Sequence, residues 1–364
     1  MKYPSEKFVQ SSTYLHQIIT LPKHFIFNFR LFLMKILISG GAGFIGSSLA
    51  EKLIADEYNY VVVADNLSTG SKRKIPDAPN CNLHFVRCDV NDYRDISEVM
   101  LSTGFDYVFH YAATVGVKRT QENPARVLND LEGIKHICNL SKNSRVKRLF
   151  FASSSEVYGE PVTLPQHEET TPLNSRLPYA VVKNLGEAFL RSYKKEFGLD
   201  YTIFRFFNTY GPKQSIDFVM SKFIRHALRN EDIPIFGDGT QSRTFCYIDD
   251  NVDACVNALY KNLALNEVVN IGSDFGISIL DLAEMIVEIT GSSSRIFHVP
   301  PLSEGDMCRR LPETTKMQRL LNRPMKPIAE GLASVLNNLD FIMNGHDPEF
   351  LTQYEATPIL HHCK

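Results

Sequence analysis

The chain has 364 residues, 44% of them hydrophobic, and a formal net charge of -2. This near-neutral balance gives no reason to expect nucleic acid or an anionic membrane surface as a partner. The seven cysteines are scattered and lack the paired spacing of metal ligands, so no metal site is predicted and free thiols in a reducing cytoplasm are expected.

The first 33 residues differ in character from the rest. Their apolar run at 25–33 is interrupted by Asn28 and Arg30, and it is too short and too polar to span a bilayer. Met34 stands immediately before the first predicted strand. We therefore expect residues 1–33 to form an N-terminal extension outside the fold.

The stretch 35–65 predicts a strand, a tight turn, a helix and a parallel strand. Gly40 and Gly43 allow a turn and a close backbone approach, and Gly46 lets the helix lie near the strand. Such a turn leaves unpaired amides at a helix N-terminus, where a pyrophosphate can bind. Asp65 follows about 20 residues later, where a carboxylate can bond the hydroxyls of an adenosine ribose. Because it would repel a 2′-phosphate, Asp65 favours NAD over NADP.

Strand and helix patterns alternate along the chain after this stretch. Strands are predicted at 83–86, 107–110, 148–152, 201–206 and 268–271, and helices at 92–101, 124–143, 177–197, 218–229 and 280–289. This alternation predicts an α/β fold with a parallel sheet covered on both faces. Ligands then bind at the carboxyl ends of the strands.

Two polar groupings carry candidate chemistry. Tyr179 and Lys183 are four residues apart on a predicted helix and face the same way. An ammonium and a nicotinamide cation would lower the pKa of the phenol, which could then take a hydroxyl proton while a hydride leaves the same carbon. Three serines and Glu156 follow the strand at 148–152. Each of these polar groups would reduce the free energy of unfolding by about 1–3 kcal/mol if it were buried without a hydrogen-bond partner. The alternative interpretations are that Tyr179 and Lys183 form an exposed helical pair and that the serines belong to a plain turn.

Four motifs together resemble the extended short-chain dehydrogenases/reductases. They are Ser-Gly-Gly-Ala-Gly-Phe-Ile-Gly at 39–46, Ser-Ser-Ser-Glu-Val-Tyr-Gly at 153–159, Tyr179 with Lys183, and Arg-Phe-Phe-Asn-Thr-Tyr-Gly-Pro at 205–212. The narrower resemblance, over about residues 34–339, is to the NAD-dependent nucleotide-sugar epimerases, dehydratases and decarboxylases. It implies a Rossmann-type doubly wound parallel sheet with a smaller C-terminal substrate-binding region, NAD as cofactor, a nucleoside diphosphate sugar as substrate and a homodimer.

The resemblance also implies domain limits and residue roles. The NAD-binding domain would span 34–205, with strands returning from about 243–271, followed by a nucleotide-sugar-binding region at 206–345 and a tail at 346–364. Ser154 would supply a hydroxyl, Tyr179 the base, Lys183 its partner, and Glu156 a carboxylate for a later step. The implied cofactor contacts are Gly40, Gly43, Phe44, Ile45, Gly46, Asp65, Asn66, Asp89, Val90, Tyr111, Ala112, Ala113, Tyr179 and Lys183. The implied substrate contacts are Ser155, Arg176, Asn208, Arg243 and Arg310, the last two at the phosphates.

The branch of the family is predicted from few residues. Members of the family share oxidation at sugar carbon 4. Their UDP-glucuronate decarboxylases resemble this chain in having Ser155, Glu156 and Arg176 at these positions. A decarboxylase that acts on a UDP-sugar is therefore the first choice. The loop at 114–123 looks closer to that of some 4-epimerases, which are the runner-up, and a 4,6-dehydratase is a third alternative. An NAD-sensing regulator of the same fold is the alternative of another class, but such proteins typically lack the tyrosine.

Overall fold

The structure is a computed structural model that describes residues 34–301 and 309–343. The predictions made for residues 1–33 and for the tail at 346–364 lie outside the described residues. In chain order the strands are β1 Met34–Ser39, β2 Asn59–Asp65, β3 Leu83–Arg87, β4 Tyr107–His110, β5 Arg148–Ser154, β6 Asp200–Phe206, β7 Thr209–Tyr210, β8 Ile233–Phe236, β9 Ser242–Thr244, β10 Cys246–Tyr247, β11 Glu267–Ile271, β12 Gly276–Ser278 and β13 Ile296–Val299.

The helices lie between these strands and at the C-terminal end of the described chain. They are α1 Phe44–Ile54, α2 Tyr93–Thr103, α3 Val117–Glu122, α4 Pro124–Leu128, α5 Asp130–Asn143, α6 Pro178–Phe197, α7 Val219–Leu228, α8 Ile248–Tyr260, α9 Ile279–Thr290, α10 Thr315–Leu321, α11 Ile328–Leu336 and α12 Asp340–Met343. Two short 3-10 helices span Lys72–Lys74 and Ser155–Tyr158. None of the helices in the described ranges is long and apolar enough to cross a membrane.

The main sheet has seven strands in the order β11-β6-β5-β4-β1-β2-β3, and every pair of neighbours is parallel. The order runs outward from β1 in both directions, so the chain reverses between β1 and β4 and opens a crevice at the carboxyl ends of these strands. This is the predicted Rossmann-type, doubly wound α/β sheet.

The strands are buried on both faces, which explains their nearly continuous apolar sequences. Along β1, Ile36 and Ile38 join the core cluster on one face, with α1 and α8, whereas Leu37 joins the cluster on the other face, with α2, α5 and α6. Aromatic rings reinforce the centre of the sheet, where Phe109 and Phe150 stack with centroids 4.3 Å apart. Helices on both faces therefore fix the strand ends that carry the polar motifs.

Three elements differ from the sequence prediction. The predicted helix 124–143 is broken at Asn129 into α4 and α5, and the loop 114–123 contains the short helix α3. Of the strands expected to return to the main sheet from about 243–271, only β11 does so. Instead, β9 pairs with β12 and β10 pairs with β7, each pair in a separate two-stranded sheet.

Candidate active site

A cleft of about 790 Å³ opens at the carboxyl ends of the main-sheet strands. It collects most of the residues that the sequence singles out. From the cofactor set it is lined by Gly40, Gly43, Phe44, Ile45, Gly46, Asp65, Asn66, Asp89, Val90, Tyr111, Ala112 and Ala113, and from the other sets by Ser154, Ser155, Glu156, Tyr179, Lys183, Asn208 and Arg310. Residues from strands far apart in the chain thus share one cavity.

The glycine turn after β1 forms a close-packed cradle at one end of the cleft. Gly40 has φ +73°, and a Cβ there would lie 2.5 Å from the backbone nitrogen of Ala112. A Cβ on Gly46 would lie 2.4 Å from the carbonyl oxygen of Gly40. The helix α1 begins at Phe44 with no side chain capping its first amides. These amides face the cleft end where a pyrophosphate would fit, so the cradle suits a dinucleotide.

Asp65 ends β2 beside this cradle and is only 9% exposed. Its Oδ2 accepts a hydrogen bond from the amide of Ala42 (3.0 Å), and its Oδ1 accepts one from the amide of Leu67 (2.8 Å). Burial raises the pKa of Asp65, although these two hydrogen bonds act in the opposite direction. Next to it, Asn66 Nδ2 donates to Asp89 Oδ2 at 3.0 Å. The carboxylate is thus held rigidly at the place where the sequence predicts a ribose contact.

Ser154, Tyr179 and Lys183 meet at the centre of the cleft. Ser154 ends β5, and Tyr179 is the second residue of α6. The hydroxyl groups of these two residues are joined by a hydrogen bond. The Lys183 Nζ lies 5.7 Å from the centroid of the Tyr179 ring and 5.1 Å from that of Phe151. Burial lowers the pKa of Lys183 to about 8. Tyr179 and Lys183 therefore share one face of α6, as the spacing predicts, and Ser154 lies beside Tyr179, as the resemblance implies.

The protonation of Tyr179 differs from the sequence prediction. Burial raises the pKa of the phenol above its usual range, and the negative charge of Glu156 adds to this effect. The hydrogen bond from Ser154 and the charge of Arg310 act in the opposite direction but are smaller. A lysine at this spacing does not by itself lower the pKa of the phenol, because desolvation outweighs it.

Glu156 and Arg310 form an ion pair on the wall of the cleft. Arg310 Nη2 lies 2.7 Å from Glu156 Oε1, and Arg310 Nη1 donates to Ser155 Oγ at 3.4 Å. The second carboxylate oxygen, Glu156 Oε2, and Arg310 Nε are buried and have no protein partner. The resemblance implies a phosphate contact for Arg310, whereas the structure holds its guanidinium against the carboxylate expected to act on the sugar.

Two predicted substrate residues do not line the cleft. Arg176 is exposed in the loop before α6. Arg243 is buried in β9, and its Nη1 donates to the backbone oxygen of Ser242 at 2.9 Å. In contrast, Asn208 lines the cleft and donates from Nδ2 to the backbone oxygen of Thr244 at 3.1 Å. The geometry thus separates the two arginines from the other predicted substrate contacts.

Sequence reasoning missed Asp130, which also lines the cleft. Its carboxylate accepts hydrogen bonds from the amide (2.6 Å) and the hydroxyl (3.2 Å) of Thr114. Burial raises the pKa of Asp130, while the charge of Lys183 acts to lower it. Asp130 lies in the interior of the predicted helix 124–143, where an acidic side chain usually faces solvent, so no sequence signal placed it near Lys183.

The chain matches a known protein family and several known relatives. The model of the NAD dependent epimerase/dehydratase family matches residues 36–272. Over 308 residues the chain is 35% identical to a putative UDP-glucose 4-epimerase of Methanocaldococcus jannaschii, covering 83% of this chain and 97% of that protein. Over 300 residues it is 35% identical to the UDP-N-acetyl-α-D-glucosaminuronate decarboxylase of Bacillus cytotoxicus, covering 79% and 91%.

A solved structure supports the same assignment. The UDP-glucuronic acid 4-epimerase of Bacillus cereus, in complex with UDP-glucuronic acid and NAD, superposes with a TM-score of 0.75 at 31% identity, over 85% of this chain and 99% of that one. The parallel sheet, the glycine cradle with Asp65, and the Ser154, Tyr179 and Lys183 cluster agree with these matches. The chain belongs to the NAD dependent epimerase/dehydratase family, and NAD is its cofactor.

Proposed function

We propose that the protein is a decarboxylase that oxidises a UDP-glucuronate-like nucleotide sugar at carbon 4 and then releases carbon dioxide. The observation that carries this proposal is the Glu156–Arg310 pair in the same cleft as Ser154 and Tyr179. A 4-epimerase needs only to turn its ketone over and reduce it from the other face, which requires no carboxylate at this position. A carboxylate with one unpartnered oxygen favours a reaction with a further step.

The first step uses the central cluster. Tyr179 takes the proton of the hydroxyl on carbon 4, Ser154 holds the sugar oxygen, and the ammonium of Lys183 favours the ionised phenol. The glycine cradle and Asp65 would hold NAD, which when bound would supply the hydride acceptor for carbon 4 and the donor for the final reduction. Burial raises the pKa of Tyr179. To act as a base near neutral pH, Tyr179 therefore depends on the positive charges of the Lys183 ammonium and of the nicotinamide of bound NAD.

The second step follows from the chemistry of the ketone. With a ketone at carbon 4, the carboxylate on carbon 5 is that of a β-keto acid. The electron pair of the bond to this carboxylate moves towards the carbon 4 oxygen, and carbon dioxide leaves. Ser154 and Tyr179 then donate hydrogen bonds to the enolate oxygen, where the negative charge has developed. Carbon 5 gains a proton from solvent, which Glu156 relays through Oε2, and reduction of the ketone completes the cycle.

Arg310 makes Glu156 compatible with an anionic sugar. An isolated carboxylate at this position would repel the carboxylate of a uronic acid. The guanidinium 2.7 Å away neutralises that charge and leaves its own Nε without a protein partner. Arg310 therefore reduces the electrostatic cost of binding a uronate beside Glu156. In this proposal Asn208, which also lines the cleft, contacts the sugar diphosphate.

A 4-epimerase is the second candidate, favoured by two observations. The M. jannaschii relative and the B. cereus structure both carry the name of a 4-epimerase. The loop at 114–123 also resembles that of some 4-epimerases in sequence. A 4,6-dehydratase is less well supported because Ser155 stands where those enzymes usually carry an aspartate that expels water.

Incubation with a panel of nucleotide sugars tests the proposal. The panel holds UDP-glucuronate, UDP-N-acetylglucosaminuronate, UDP-glucose and UDP-N-acetylglucosamine, and the products are identified by mass. We expect a product that has lost carbon dioxide from a uronate and no conversion of the neutral sugars at a comparable rate. A product of unchanged mass would support epimerisation, and loss of water would support dehydration; either would overturn the decarboxylase proposal.

A further inference from the structure

A second ion pair lies under the centre of the cleft and touches none of the cofactor or substrate positions predicted above. Glu187 is on α6, two turns after Tyr179, and is fully buried. Its Oε1 accepts hydrogen bonds from Ser153 Oγ (2.7 Å) and Arg205 Nε (2.8 Å). Its Oε2 accepts hydrogen bonds from Arg205 Nη2 (2.7 Å) and from the half-exposed Arg191 Nη2 (2.9 Å). The carboxylate thus links α6 to Ser153, near the end of β5, and to Arg205 in β6.

Arg205 extends these contacts to the segment that carries Glu156. Arg205 is 1% exposed, and its Nη1 donates to the hydroxyl of Tyr158 (2.8 Å) and to the backbone oxygen of Glu168 (3.1 Å). Tyr158 ends the 3-10 helix that begins at Ser155, and its own hydroxyl donates to Asn270 Oδ1 at 2.7 Å. Each of the three guanidinium nitrogens of Arg205 therefore has a hydrogen-bond partner.

The same network continues to the segment that carries Arg310. Asn270 Nδ2 donates to the backbone oxygen of Gln166 at 2.8 Å. The backbone of Gln166 in turn pairs with the chain after Arg310, since its amide donates to Leu311 (2.7 Å) and its carbonyl accepts from Glu313 (2.8 Å). The segments bearing Ser154, Glu156, Tyr179 and Arg310 are thus joined through one buried polar network.

Stability alone does not explain this pair. Burial would raise the pKa of Glu187, but the hydrogen bonds and charge of Arg205 hold it below its usual range, so both partners are ionised at neutral pH. Taking two charges out of water is costly, and replacing a buried ion pair with apolar side chains of similar volume is often neutral or stabilising. What apolar side chains cannot reproduce is the set of directed bonds to Ser153 and Tyr158.

We propose that the Glu187–Arg205 pair is a positioning pair, which sets the register between the helix bearing Tyr179 and the strand end bearing Ser154 and Glu156. Neither residue touches substrate or cofactor in this account. The inference rests on the proposed function only through the oxidation at carbon 4 that the whole family shares. A displacement of about 1 Å between reacting groups can reduce turnover about 100-fold, so a small loss of register would be visible in kcat.

The test is the double variant Glu187→Leu with Arg205→Met, assayed with whichever nucleotide sugar the wild-type protein converts. We expect kcat to fall by about 100-fold, while the melting temperature, the affinity for NAD and KM stay close to the wild-type values. The matched control is Arg148→Met. Arg148 is 2% exposed at the start of the same strand β5 and donates to Thr202 Oγ1 at 2.8 Å, far from the cleft. Its kcat should stay within about threefold of wild type.

A folded double variant with wild-type kcat would overturn the proposal, as would an equal loss of kcat in the Arg148 control. Should the double variant not fold, Glu187→Gln replaces it, because the amide keeps the shape and one acceptor oxygen but loses the charge and the second acceptor. That variant should lose about tenfold in kcat with KM unchanged, since one arm of the fork is lost. A Gln variant with normal kcat would refute the role. Failure of decarboxylation in the panel leaves this test intact, because it uses the substrate that is turned over.

Discussion

Glu156 carries the charge on which the proposed second step depends. Replacing it with Gln keeps the shape and hydrogen-bonding capacity but removes the negative charge and the ability to relay a proton. We expect the Glu156→Gln variant still to show the absorbance of NADH when substrate is added, while release of carbon dioxide falls at least about 100-fold. Absorbance and product mass are recorded in the same sample.

Tyr179→Phe provides the control for this variant. It keeps the ring but removes the proton acceptor, so both the NADH absorbance and the product should disappear while NAD still binds. Normal product formation by Glu156→Gln, without accumulation of NADH, would favour the 4-epimerase and contradict the role given to Glu156.

Asp65 determines the choice of dinucleotide at the other end of the cleft. Its two oxygens are fixed by the amides of Ala42 and Leu67, so the carboxylate cannot swing away from a 2′-phosphate. We expect NAD to bind at least about tenfold more tightly than NADP, a difference of about 1.4 kcal/mol. Titration of cofactor-free protein with each dinucleotide measures this ratio. Asp65→Asn should reduce the preference, and equal affinities in the wild-type protein would refute this interpretation.

At the scale of elements, β1 and β4 are joined by a buried polar contact. Ser39 Oγ and His110 Nδ1 lie 2.7 Å apart in directly paired residues. Burial, aided by the charge of Lys183, lowers the pKa of His110 to about 3. Below a pH of about 6.5 the unfolded chain binds a proton at this histidine and the folded chain does not. Stability therefore decreases as the pH falls through the window from about 6.5 to 3.

His110→Gln should remove this pH dependence. Between pH 7 and pH 5 the histidine should account for a loss of about 2 kcal/mol in the free energy of unfolding of the wild-type protein. Urea unfolding at the two pH values measures the difference, which should be smaller by that amount in His110→Gln. His84→Gln, at an exposed position of β3, is the control and should keep the wild-type difference. An unchanged difference in His110→Gln would contradict the account of β1 and β4.

Elements with strong local signals could be predicted from the sequence. The buried strands have continuous apolar runs, and α6 begins with Pro178 and ends before Gly198 at φ +75°, both of which are typical helix limits. The helix α3 was missed because it is short and follows Gly116, whose φ is +104°. The break at Asn129 was missed because the apolar spacing continues from α4 into α5.

At the scale of the whole molecule, the sequence did not predict the long-range polar pairs. Arg310 is 154 residues from Glu156 in the chain, and nothing in the local pattern of either residue indicates its partner. The helical spacing predicted that Tyr179 and Lys183 share a face, and the resemblance implied that they act together with Ser154 at a strand end. Residue pairs that join separate loops depend on the path of the chain between them. The periodicity of apolar residues does not predict that path.

The predicted homodimer can be tested through an apolar patch on α6. Val181 and Leu185 are one turn apart and 45% and 40% exposed, and Leu128 on the neighbouring α4 is 50% exposed. We expect the wild-type protein to have the mass of a dimer in light scattering, and the variant with Val181→Glu and Leu185→Glu to have that of a monomer. Leu265→Glu, at a position 39% exposed after α8, is the control. A monomeric wild-type protein would contradict the dimer prediction.

The proposed reaction is tested most directly by following one carbon atom. UDP-glucuronate labelled with carbon-13 at carbon 6 carries the label in the carboxylate that decarboxylation removes. We expect the label to appear as carbon dioxide in equal amount to the UDP-pentose formed, because the ketone at carbon 4 makes that carboxylate a leaving group. Retention of the label in a UDP-hexuronate of altered configuration at carbon 4 would contradict the decarboxylase and establish the epimerase in its place.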